Sequence, residues 1–109
     1  MSVQERIHAL VTGHPVVLFM KGTPQFPQCG FSASAVQILR ACGVEGITSV
    51  NVLEDPDMRQ GAKDYASWPT FPQLYVAGQF IGGADIMREL YQSGELKQML
   101  TGAVSSGSN

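Results

Sequence analysis

The chain is short of most features that would mark a specialised class of protein. Its 109 residues include only two cysteines, Cys29 and Cys42. That is too few for a disulfide scaffold or for a zinc site built by one chain. Neither sign of charge dominates: seven basic residues stand against nine acidic ones, a formal net charge of -2. No broad field therefore favours nucleic acid or an anionic membrane surface. Arg40, Arg88 and Lys97 lie scattered and form no basic stripe. No apolar run approaches the roughly 20 residues that cross a bilayer. The opening MSVQERIHAL has an early Glu5, and neither the apolar core of a signal peptide nor an Arg-rich presequence. We therefore expect a soluble cytoplasmic domain with no nucleic-acid or membrane partner. In a reducing compartment an accessible cysteine is more often reactive or metal-binding than structural.

What is present has the size and patterning of one domain. At 44% hydrophobic and 15% charged, the chain can build a single core. Ser2 with Glu5 makes a capping box for a helix over about residues 2–12, ended by Gly13. The run Val16-Val17-Leu18-Phe19-Met20 reads as a buried strand. After a loop carrying Pro24 and Pro27, apolar residues at helical spacing (Phe31, Ala35, Ile38, Leu39, Cys42) predict a helix from Gly30 to Cys42. Residues 47–53 predict a second strand. Asp55-Pro56 caps and starts a helix running to about Ala66. A hairpin is expected around Ala77-Gly78, joining 73–77 to 79–81, and the last helical region at 84–92 and 95–101 is interrupted at Ser93-Gly94. The order predicts an α/β domain over residues 1–103: a four-stranded mixed sheet with helices on both faces, laid out like thioredoxin. Residues 104–109 are expected to be a disordered tail.

The chemistry gathers in PQFPQCGFSAS, residues 24–34. Cys29 precedes the first turn of a helix, where free N–H groups and the dipole favour a thiolate, and Lys21 adds positive charge nearby. Where a dithiol redox enzyme has its second cysteine stands Ser32, which cannot resolve a mixed disulfide. Nor can Cys42 do so. Thirteen residues further along the same helix, it lies roughly 20 Å away and about 220° around the axis, whereas a disulfide needs Cα atoms within about 7 Å. Cys42 is read as part of the packed face. His8 and His14 are read as surface or satisfied histidines.

Lys21-Gly22-Thr23, Cys29-Gly30-Phe31-Ser32, Trp68-Pro69-Thr70-Phe71-Pro72 and Gly82-Gly83-Ala84-Asp85 together resemble a monothiol glutaredoxin of the single-domain CGFS type. The likeness runs from about Ser2 to Leu100. It implies a thioredoxin-like (glutaredoxin) fold and a protein that binds and transfers a [2Fe-2S] cluster. That cluster would bridge a homodimer through Cys29 and glutathione, with BolA-type proteins and apo iron–sulfur acceptors as partners. Ala84 departs from the pattern, since such proteins often carry cysteine there.

The resemblance also implies a glutathione site. Lys21, Arg59 and Lys63 would meet carboxylates, the last two being four apart on one helix face. Thr70, Phe71 and Pro72 would form a cis-proline turn that presents the Phe71 backbone to the cysteinyl part. The N–H groups of Gly83 and Ala84 would hold the γ-glutamyl carboxylate, and Asp85 its ammonium, unless Asp85 serves only to cap its helix. Phe31 is expected at the dimer contact and Trp68 in packing. A cluster takes four sulfur ligands and one chain offers one usable thiol, so any cluster here must be intermolecular. Two other functions stay open: a glutathione-dependent monothiol oxidoreductase, which needs a single thiolate, and a regulatory adaptor for a BolA-type partner.

Overall fold

The computed structural model describes residues 1–107. Nine elements follow in order: α1 (Val3–Gly13), β1 (Val16–Met20), α2 (Gly30–Ala41), β2 (Thr48–Asn51), α3 (Pro56–Ala66), β3 (Gln73–Val76), β4 (Gln79–Gly82), α4 (Ala84–Ser93) and α5 (Glu95–Gly107). The strands form one sheet in the order β2-β1-β3-β4. β2 runs parallel to β1, while β3 and β4 are antiparallel additions. This is the mixed α/β sheet expected from the sequence.

β1 explains the layering. All five of its side chains are buried, because the strand is covered on both faces. Val16, Leu18 and Met20 pack against α2, α4 and α5 through Ala35, Leu39, Met87, Leu96 and Leu100. Val17 and Phe19 point the other way, to Ile7 and Val11 of α1 and to Met58 and Ala62 of α3. The period of two along the strand thus divides one apolar run between two cores. Burying either set stabilises the fold by roughly 1.5–3 kcal/mol for each large side chain.

The local signals set the helix ends. The Ser2 hydroxyl accepts from Glu5 N–H at 3.1 Å, and Glu5 Oε1 accepts from Ser2 N–H at 3.1 Å. Asp55 Oδ1 accepts from Met58 N–H at 3.2 Å, with Pro56 at the first helical position. Gly94 ends α4 in the left-handed conformation. At the hairpin, Ala77 (φ 52°) and Gly78 (φ 79°) both take positive φ, the signature of a tight two-residue turn.

Two elements differ from expectation by more than one residue at an end. The second strand is confined to Thr48–Asn51, shorter than 47–53. Residues 104–107 are helical, not an irregular tail. Leu96, Leu100 and Ala103 continue a buried stripe at helical spacing, and this packing outweighs the weak helix preference of the Ser- and Gly-rich end. Residues 108–109 of the expected tail lie outside the described residues.

Candidate functional site

The loop from Lys21 to Gln28 is closed on itself. Gln28 N–H donates to Lys21 O at 2.9 Å, and Thr23 and Phe26 exchange backbone hydrogen bonds at 3.2 and 3.1 Å. Gly22, at φ 93°, lies so close to Phe26 O that a Cβ would sit 2.5 Å from it, which excludes any other residue. Asn51 Oδ1 accepts from Gly22 N–H at 3.0 Å and ties the loop to the end of β2. This fastening delivers Cys29 to the head of α2.

Cys29 is the N-cap of α2, in extended conformation (φ -153°, ψ 139°). Its thiol lies below the ordinary value. The largest cause is the Ser32 backbone N–H; burial, next in size, opposes it, and the Phe31 N–H, the Lys21 charge and the Ser32 hydroxyl add to the lowering. Ser32 itself is completely buried, and its Oγ accepts from Lys21 N–H at 3.1 Å. The residue in the place of a second cysteine therefore joins the end of β1 to the first turn of α2.

Cys29 opens onto a cleft of about 430 Å³. Lys21, Arg59, Lys63, Thr70, Phe71, Pro72, Gly83, Ala84 and Asp85 all line it with Cys29, so the structure gathers every sequence-derived candidate around one space. Lys21 follows β1, while Arg59 and Lys63 come from one face of α3. Among the described residues none of these three cations is in an ion pair. The Phe71–Pro72 bond is cis. The N-cap of α4 is Gly83, which leaves the N–H groups of the first turn without helical acceptors beside the cleft. Gly82, at φ 149°, is required there, because a Cβ would come within 2.8 Å of Ile86. Asp85 makes no capping hydrogen bond and is exposed, paired on the surface with Arg88 at 3.5 Å.

The sequence reading missed some of the lining. Trp68, read as packing, does pack: its ring lies 5.5 Å from Phe80, which lies 5.4 Å from Tyr75. It also lines the cleft, as do Pro69 and Ile86. Its place directly before the proline turn was the available signal. Phe31 is 60% exposed and belongs to the cleft, and Phe26 is 74% exposed on the closed loop. Cys42 stands apart, buried in the core on the α2 and α5 side. Burial pushes its thiol up, partly offset by Lys97. His8 shares a hydrogen bond with the Tyr65 hydroxyl at 2.9 Å. No group of three or more His, Cys, Asp or Glu side chains converges as a metal site among the described residues. No helix among them is long and apolar enough to cross a membrane.

A mixed four-stranded sheet with a cysteine at the N-cap of α2, beside a cis-proline turn, defines a thioredoxin-like domain. A glutaredoxin family model matches residues 16–81. The chain is 54% identical to a ycf64-like monothiol glutaredoxin of Synechocystis, over 96% of this chain and 97% of the relative. It is 51% identical to glutaredoxin 4 of Escherichia coli, over 88% of this chain and 83% of the relative. The solution structure of reduced poplar apo GrxS14, at 52% identity, superposes with a TM-score of 0.81 over 94% of each chain. The chain belongs to the glutaredoxin family, among its monothiol members, and that family works with glutathione.

Proposed function

We propose that the protein carries a [2Fe-2S] cluster as cargo, held between two protomers with glutathione, and passes it to apo iron–sulfur proteins. The observation that carries this reading is one lowered, accessible thiol facing a cleft rimmed by three cations that have no ion-pair partner among the described residues. Each chain brings a single available thiolate, since Cys42 is buried elsewhere. Two chains supply two of the four sulfurs, and two glutathiones supply the rest. Cys29 is then the metal ligand. Lys21, Arg59 and Lys63 suit the carboxylates of glutathione. The Phe71 backbone suits its cysteinyl unit, and the free N–H groups at Gly83, Ala84 and Asp85 suit its γ-glutamyl carboxylate. The Asp85 carboxylate, held only by a surface pair, is available to the ammonium. Phe31, exposed beside the thiol, suits the contact between protomers or with a BolA-type partner. We place this activity in the cytoplasm.

A second reading rests on the same lowered thiol. As a monothiol oxidoreductase, Cys29 would attack a glutathionylated protein, take glutathione in mixed disulfide and release the protein thiol. The thiolate of a second glutathione would then attack that mixed disulfide, leaving as glutathione disulfide and returning Cys29 as its thiolate. Two assays separate the readings. The carrier passes its cluster to an apo-acceptor stoichiometrically and turns over a glutathionylated peptide slowly. Rapid turnover without cluster transfer contradicts the carrier.

A further inference from the structure

Among the described residues, two polar side chains are completely buried, Ser32 and Gln73. Gln73 opens β3 directly after Pro72, behind the cleft wall. Its Nε2 donates to Trp68 O at 3.1 Å and to Thr70 O at 3.3 Å. Two carbonyl acceptors admit only the NH₂ side of the amide, so its orientation follows from the network. The other side, Oε1, is buried with no hydrogen-bond partner. An unmet buried acceptor destabilises a fold, and an apolar side chain of the same length would avoid that cost. That side chain would in turn give up both bonds to the Trp68 and Thr70 carbonyls, so what the amide supplies is a hold on this loop.

In a trans peptide the C=O and the following N–H point in opposite directions, and the Thr70–Phe71 bond is trans. With the Thr70 carbonyl drawn inward to Gln73, the Phe71 N–H is turned outward, and it has no acceptor among the described residues. Thr70 and Phe71 both line the cleft. We infer that Gln73 is a positioning residue: its amide clamps the Trp68–Thr70 backbone so that the Phe71 N–H is presented to a peptide ligand in the cleft. This rests on the glutathione reading above. Gln73 touches no ligand and acts only through the loop.

The test uses the full chain and S-methylglutathione, a probe without thiol chemistry. In the wild type, the probe should shift the ¹⁵N–¹H signal of Phe71 together with those of Ala84 and Asp85. In Gln73→Met the dissociation constant should rise about tenfold. The Phe71 response should be lost and those of Ala84 and Asp85 kept, with the rest of the spectrum still that of the folded chain. Unchanged affinity in Gln73→Met overturns the inference, as does equal loss at Phe71, Ala84 and Asp85. A silent Phe71 signal in the wild type while Ala84 and Asp85 respond overturns it without any variant. If the wild type does not bind the probe at all, the glutathione reading falls and takes this inference with it.

Discussion

Helix α2 carries a thiol at each end, and the two have opposite characters. Cys29, at the N-terminal end, faces the N–H groups of Ser32 and Phe31 and lies near Lys21, so its thiolate is favoured. Cys42, at the C-terminal end, is packed with Leu39, Leu100 and Ala103, where burial favours the neutral thiol. The same residue type on one helix yields a reactive group and a piece of core. Helix polarity and burial decide which, and the cleft lies at the reactive end.

The sharpest way to break this contrast is to remove each thiol. Cys29→Ser should abolish cluster binding after anaerobic reconstitution, while Cys42→Ala should keep iron and dimer. Equal loss of iron from both variants would overturn the assignment of roles. At neutral pH, Cys29 should be alkylated about tenfold or more faster than Cys42, followed by mass spectrometry of the labelled peptides. The pH dependence of stability should also differ in sign. The folded thiol of Cys29 is lowered, so its stabilising contribution is present above the unfolded thiol value and fades as pH falls through the folded one. The thiol of Cys42 is raised, so its contribution is complete below the unfolded value and is lost as pH rises through the folded one. Urea titrations of Cys29→Ser and Cys42→Ala across the alkaline range should diverge accordingly.

Smaller changes sharpen the picture at the reactive end. Lys21→Ala should leave the fold intact and raise the glutathione needed for half-reconstitution roughly fivefold, the order of one partly exposed charge contact. Ser32→Cys should raise turnover on a glutathionylated peptide, because a resolving thiol now stands at C-x-x-C spacing. It should also cost about 1 kcal/mol in urea denaturation, because sulfur is a poorer acceptor for the Lys21 N–H. Flat turnover in that variant would mean that substrate docking limits the wild type.

The sequence disclosed the reactive end more fully than its surroundings. Cys29, Lys21, the proline turn and Gly83-Ala84-Asp85 stand in short motifs whose residue types carry their own mechanism, and all meet at one cleft. The strands and caps were legible for a similar reason: Ser2 with Glu5, and Asp55 with Pro56, act on their nearest neighbours. Trp68 was not legible as cleft lining, because an aromatic in a proline-rich loop can face either way until Phe80 fixes it. The burial of Ser32 and Gln73 was likewise hidden, since their partners Lys21, Trp68 and Thr70 are set by tertiary packing. The end of α5 depends on Ala103 meeting the core, which overrides local propensity.

Native mass spectrometry of the anaerobically reconstituted protein across a glutathione titration tests the central claim most directly. On the proposed carrier reading, one available thiol per chain predicts an assembly of two protomers, two glutathiones and one [2Fe-2S] cluster. That species should be lost on dilution, and lost when glutathione is withdrawn at constant protein concentration. A monomer that keeps its cluster after exhaustive removal of glutathione would contradict the account, because the chain lacks the thiolates to hold it alone.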